Sequence, residues 1–138
     1  MRTVCTTLAL ALLATVSLRA QDSVQAQPQA AGPAPTVEAV LTRGVTDRVP
    51  QDTATTVAAD VGQLFLWTKV TGGAGQTIHH VWFHGDTQVG DVELQVGGSP
   101  WRTWSRKAVP ADWTGAWHVE IRDAAGNILK RVDFTVGQ

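Results

Sequence analysis

Cysteine is nearly absent from this sequence. One residue, Cys5, stands in 138, and it precedes an apolar run rather than following it. A chain processed behind that run keeps no disulfide, no thiolate metal site and no cysteine nucleophile. The position of Cys5 also argues against a lipoprotein. Long hydrophobic runs are missing too. The stretch from Leu8 to Leu18 is broken by small polar residues, and the apolar segment amounts to about 15 residues against the roughly 20 that span a bilayer. Basic clusters of the kind that grip phosphate backbones are absent, so nucleic acid is not an expected partner. No amphipathic helical period, internal repeat or His-Glu-x-x-His motif appears.

What the N-terminus does have is the layout of a secretory signal: Arg2, a short apolar segment and then small residues. The expected cleavage is after Ala20, or as late as Ala26. The other reading is retention of residues 1–20 as an N-terminal anchor, the one route by which a membrane becomes a partner. Removing residues 1–20 lowers Lys+Arg from 11 to 9 against 12 Asp+Glu, leaving a net charge of −3. Residues 21–36 are rich in Gln, Ala and Pro without apolar periodicity, and read as a flexible tether. The expected location is periplasmic or extracellular. Without disulfides, the remainder (37–138) must be held by its core, and about 100 residues suffice for one.

That remainder reads as strands. Val37–Thr42 is expected to be an edge strand, and Arg43–Asp60, polar and carrying Pro50, a long connection with a helical turn. Leu64–Val70 is apolar on both faces, as a covered central strand would be. Gly72–Gly75 turns the chain into Gln76–Gly85, which holds three of the four histidines. Val92, Leu94 and Val96 alternate with Asp91, Glu93 and Gln95. Trp101–Lys107 sets Trp101, Thr103 and Ser105 on one face and Arg102, Trp104 and Arg106 on the other. Trp117, Val119 and Ile121 alternate with His118, Glu120 and Arg122, predicting a half-buried strand. Val132, Phe134 and Val136 close the domain. About seven short strands, with turns every 8–12 residues, predict an all-β antiparallel sandwich of immunoglobulin or fibronectin type. A small barrel is the alternative.

Four segments carry a resemblance. Leu64-Phe65-Leu66-Trp67-Thr68, Ile78-His79-His80-Val81-Trp82, Trp101-Arg102-Thr103-Trp104-Ser105 and Gly115-Ala116-Trp117-His118-Val119 resemble, in order, the signature segments of the bacterial family called domain of unknown function 2914. The resemblance covers about 95 residues. It implies an exported or envelope-associated bacterial protein with a β-rich fold, and it carries over no catalytic residues.

Six tryptophans set the chemistry. Trp67, Trp82 and Trp117 lie in apolar strands and are expected in the core. Trp101, Trp104 and Trp113 flank turns beside Arg102, Arg106 and Asp112. An exposed indole offers a stacking face to a sugar ring, and neighbouring charges can bond its hydroxyls; the competing reading has Arg102 and Arg106 stacked over Trp104. His79 and His80 point to opposite faces, and His80 and His84 lie about 13 Å apart along a strand, so no metal is expected. His80 is expected as a buried neutral imidazole beside Trp82. Ser105 lacks a nucleophile elbow, Asp91 and Glu93 read as a solvated face, and Gly72–Gly75 lacks the Lys-Ser/Thr of a phosphate loop. The expectation is a non-catalytic module without cofactor that recognises an envelope glycan or other envelope component through Trp101, Arg102, Trp104, Arg106 and Trp113. The alternative is an assembly domain that pairs with an envelope protein through a strand edge.

Overall fold

A computed structural model describes residues 34–137. The signal segment and most of the expected tether lie outside the described residues. Among those described there is no helix. Nine strands form two sheets, and the described residues are an all-β sandwich.

The first sheet is formed by β1 (Thr36–Thr46), β2 (Val49–Thr53), β4 (Gly62–Thr71) and β7 (Trp101–Val109), in the order β2-β1-β4-β7. The second holds β3 (Thr56–Val57), β5 (Thr77–His84), β6 (Thr87–Gln95), β8 (Gly115–Asp123) and β9 (Ile128–Val136), in the order β3-β9-β8-β5-β6. All pairings are antiparallel except the short parallel bridge of β3 to β9. The chain passes between sheets at β2–β3, β3–β4, β4–β5, β6–β7 and β7–β8, the Greek-key connectivity of immunoglobulin- and fibronectin-type sandwiches.

Alternation builds the core. Leu64, Leu66, Thr68 and Val70 point inward from β4. Ile78, His80 and Trp82 do so from β5, Trp117, Val119 and Ile121 from β8, and Phe134 and Val136 from β9. Trp82 is fully buried and meets Phe134 edge-on, with ring centroids 6.3 Å apart. A buried indole of this kind contributes about 3–5 kcal/mol relative to alanine.

Three expectations are corrected. Arg43–Asp60 contains no helical turn but two strands, β2 and β3. Val-Pro-Gln-Asp-Thr and Thr-Val lack apolar alternation because β2 is an exposed edge and β3 covers only two residues, and Pro50 is tolerated on that edge. β1 pairs with β4 alone over Val37–Leu41, as an edge strand does, but runs on to Thr46 beyond the expected end at Thr42. It lies between β2 and β4, although β2 pairs only with Thr42–Thr46. Finally, β8 is buried on both faces. Glu120 is only 7% exposed, because Arg122 Nε donates to it at 2.7 Å and His118 lies 3.6 Å away. His118 in turn stacks on Phe83, with centroids 4.5 Å apart and planes within 8°.

Candidate functional site

The two faces of β7 have different fates. Trp101, Thr103 and Ser105 turn toward the opposing sheet, and Arg102, Trp104 and Arg106 turn outward and are exposed. Register places Trp104 beside Trp67 and Val40 in one row across the outer face of the first sheet. Trp104 keeps 37% of its surface exposed and Trp67 only 9%. Trp67 is therefore not part of the inter-sheet core, as its apolar strand suggested. It is buried on the outer face, and its Nε1 donates to the Arg48 carbonyl at 2.9 Å.

That bond holds the tip of the β1–β2 hairpin. Thr46 and Val49 pair around the two-residue loop Asp47-Arg48. Both loop residues have positive φ, 50° and 63°, the left-handed pair of a type I′ turn that Asn-Gly would normally occupy. An arginine in this region costs about 1 kcal/mol or more relative to glycine.

Arg48 then meets β6 and β7 at one groove. Its lining is Arg48, Glu93–Gln95 of β6, and Pro100–Trp104, enclosing about 550 Å³. The floor of the preceding loop is Gly97-Gly98. A β-carbon on Gly97 would lie 2.8 Å from Cη2 of Trp101, so glycine lets the indole rest against the backbone. Gly72 N–H donates to Ser99 Oγ at 2.7 Å and ties this loop to the end of β4. The groove therefore offers one half-buried indole, one exposed indole and two guanidinium groups, with Glu93 on its β6 side.

Of the five residues expected to act together, Trp101, Arg102 and Trp104 line this groove, and Arg106 lies two residues beyond Trp104 on the same outward row. Trp113 does not join them. It lies past the far end of β7, stacked on His84 with centroids 5.5 Å apart and planes within 7°. Its carbonyl accepts the indole N–H of Trp117 at 2.9 Å. The stacking of Arg102 and Arg106 over Trp104 is not observed: among the described residues, the cation–π contact is Arg122 over Phe83. The sequence reading missed Arg48. The signal available was Thr-Asp-Arg-Val, a two-residue turn between extended segments, obscured by the absence of glycine.

The buried histidine occupies a different place and role. His80 lies between the sheets with Nδ1 at 2.8 Å from Ser105 Oγ and Nε2 at 3.3 Å from Thr68 Oγ1. Directions follow from the donors. The Thr68 hydroxyl donates to the Thr103 carbonyl at 3.1 Å, so it accepts from Nε2–H. Nδ1 is then the acceptor for the Ser105 hydroxyl, which itself accepts from Trp82 Nε1–H at 3.1 Å. A one-way chain thus runs Trp82, Ser105, His80, Thr68, Thr103 and fixes the tautomer. Burial pushes the His80 pKa down from 6.5 to about 3, so the imidazole is neutral. Ser105 is buried and committed to this chain, and the base beside it, His80, is made too weak by burial, with a pKa of about 3, to activate it as a nucleophile.

Outside the groove, His79 Nδ1 meets Asp91 Oδ1 at 2.8 Å on the outer face of the second sheet. No group of three or more His, Cys, Asp or Glu among the described residues converges as a metal site.

Residues 75–136 match the model of a family described as "Protein of unknown function (DUF2914)". The match spans β5 to β9 and includes three of the four segments that carried the resemblance; Leu64–Thr68 precedes it. No curated protein matches the sequence. Among solved structures, the crystal structure of an engineered protein is similar at 17% identity and a TM-score of 0.42, over 75% of this chain and 20% of that one.

Proposed function

We propose, for a chain whose residues 75–136 match the DUF2914 family model, that it is a non-catalytic binding module whose ligand is an envelope glycan. The observation that carries this reading is the groove beside β6 and β7. An indole that is more than one-third exposed stands there next to a second indole and two arginines. Large aromatic surface left in contact with water in a groove is the usual mark of a ligand site. An indole face packs against the C–H face of a pyranose, while guanidinium, carboxylate and amide groups fix the hydroxyls. Groups for acid–base or nucleophilic catalysis do not meet in the groove: its one carboxylate, Glu93, has no second carboxylate or histidine among the lining residues.

The test is retention of the protein on purified peptidoglycan sacculi. Trp104→Ala and Arg102→Ala remove exposed side chains, so the fold survives and retention falls. If both variants are retained as well as the original protein, the groove is not the site. If both unfold, the cluster is structural.

A second reading has its own support. β6 and β7 each end a sheet with nine residues, and a free strand edge can pair with another chain. Lys107 Nζ donates to the Val89 carbonyl at 2.7 Å, joining the two edges and occupying one acceptor. A strictly monomeric mass by light scattering, with no crosslinked envelope protein, would count against strand pairing.

A further inference from the structure

Three arginines surround Trp104, and their charges are unanswered. Arg102 and Arg106 flank it at two residues on either side, and Arg48 reaches the same groove from the β1–β2 hairpin. Among the described residues, the ion pairs are Lys69–Glu38, His79–Asp91, His118–Glu120, Arg122–Glu120 and Arg131–Asp133. None involves Arg48, Arg102 or Arg106. Elsewhere the protein gives Arg122 and Arg131 carboxylate partners two residues away. On the outer face of β7 it does not. Moreover, Arg48 occupies a backbone position suited to glycine, and its carbonyl is pinned by Trp67. Strain of this kind persists where the surroundings enforce it, and it clusters at functional sites.

We infer that the groove takes an anionic saccharide, whose carboxylate or phosphate oxygens are held by Arg48 and Arg102 while a sugar ring stacks on Trp104. This rests on the glycan reading above and narrows its ligand class. Guanidinium offers paired N–H donors that match two oxygens of a carboxylate or phosphate. Arg106 extends the positive row for the next charged residue of a chain. Glu93, the acid in the groove, is placed to accept a sugar hydroxyl. It repels a second anion on the β6 side, so the charged group belongs on the side of Arg48 and Arg102.

The experiment uses the full-length protein and four immobilised probes: polygalacturonate, its methyl ester, a phosphorylated mannan and polyglutamate. The methyl ester keeps the sugar backbone without charge, and polyglutamate keeps the charge without sugar. The expected result is retention on polygalacturonate, the mannan or both, at least about tenfold stronger than on the ester or on polyglutamate. Retention should fall steeply with salt, as contacts between charges do. Arg102→Gln should lose about tenfold, the scale of one charge-assisted contact of about 1.4 kcal/mol. Arg48→Gly should lose a similar factor while its melting temperature stays level or rises, because glycine relieves the left-handed backbone. That combination separates a ligand contact from a folding defect.

Equal retention on polygalacturonate and its ester leaves the glycan reading standing and overturns the anionic class. Equal retention on polyglutamate overturns saccharide recognition in favour of bare charge. No retention on any probe, with sacculi still retained, overturns the inference alone; loss of both overturns the parent reading with it.

Discussion

Acid should weaken this fold through one residue, and the size of the effect can be worked out. His80 is fully buried between the sheets and its pKa is lowered from 6.5 to about 3 by burial. In the unfolded chain the imidazole takes a proton as pH falls through 6.5; in the folded chain it does not until about 3. The unfolded state therefore binds more protons across this window. The stability contributed by the neutral imidazole is fully present above pH 6.5 and is lost as pH falls toward about 3. Each pH unit within the window removes about 1.4 kcal/mol, so about pH 4.5 should cost roughly 2.5 kcal/mol relative to neutral pH. The side-chain bond from Asn127 holds the Asp123 carboxyl below its usual value, and Arg131 does the same for Asp133. Their stabilising contributions are lost only as pH falls below the ordinary carboxylate pKa of 3.8, so a comparison that stops at about pH 4.5 reads chiefly His80. Urea unfolding followed by tryptophan fluorescence at about pH 7 and about pH 4.5 measures the difference. His80→Gln cannot titrate and should remove most of the pH dependence, from a lower starting stability. A flat stability between the two pH values would refute the argument, as would an undiminished slope in His80→Gln.

Three further outcomes follow from the same geometry. Ser105→Ala leaves Trp82 Nε1 and His80 Nδ1 without their partner, and chemical denaturation should show a loss of about 2–4 kcal/mol. Trp82→Ala should lose about 3–5 kcal/mol, whereas Trp104→Ala, where more than one-third of the indole is already in water, should lose less, about 1–2 kcal/mol; equal losses would place Trp104 in the core. Acrylamide should quench a fraction of the native fluorescence that falls in Trp104→Phe, with Trp101 and Trp113 keeping the partly accessible remainder, and is unchanged in Trp117→Phe, since Trp117 is buried and Trp104 is not. A Trp104→Phe variant that quenches like the original protein would contradict that assignment.

The strands that bury one face could be read directly. Val132, Phe134 and Val136 alternate because one side of β9 meets the core and the other does not, and Trp117, Val119 and Ile121 mark the inter-sheet side of β8 by the same period, although its other side is covered too. β2 and β3 could not be read this way. They hold their places through backbone pairing and a type I′ turn, neither of which demands apolar residues. The burial of Glu120 was likewise hidden, because it depends on Arg122 and His118 closing over it from the same face. For the site, the Trp-Arg-x-Trp spacing on β7 was enough to bring Trp101, Arg102 and Trp104 together. Assigning Trp113 to them failed because proximity to a turn says nothing about which end of the sandwich the turn occupies. Arg48 is distant in sequence and reaches the groove only because Trp67 holds the hairpin tip across the sheet.

The central claim is that the groove at Trp101 and Trp104 receives a saccharide. The six indole N–H groups give separate signals in a heteronuclear NMR spectrum of the isotope-labelled protein. Titration with soluble peptidoglycan fragments should shift the signals of Trp104 and Trp101 and leave those of Trp82 and Trp117, which are closed off in the core, unmoved. Shifts confined to Trp113, or no shift at any indole while the fragments still bind, would contradict the account.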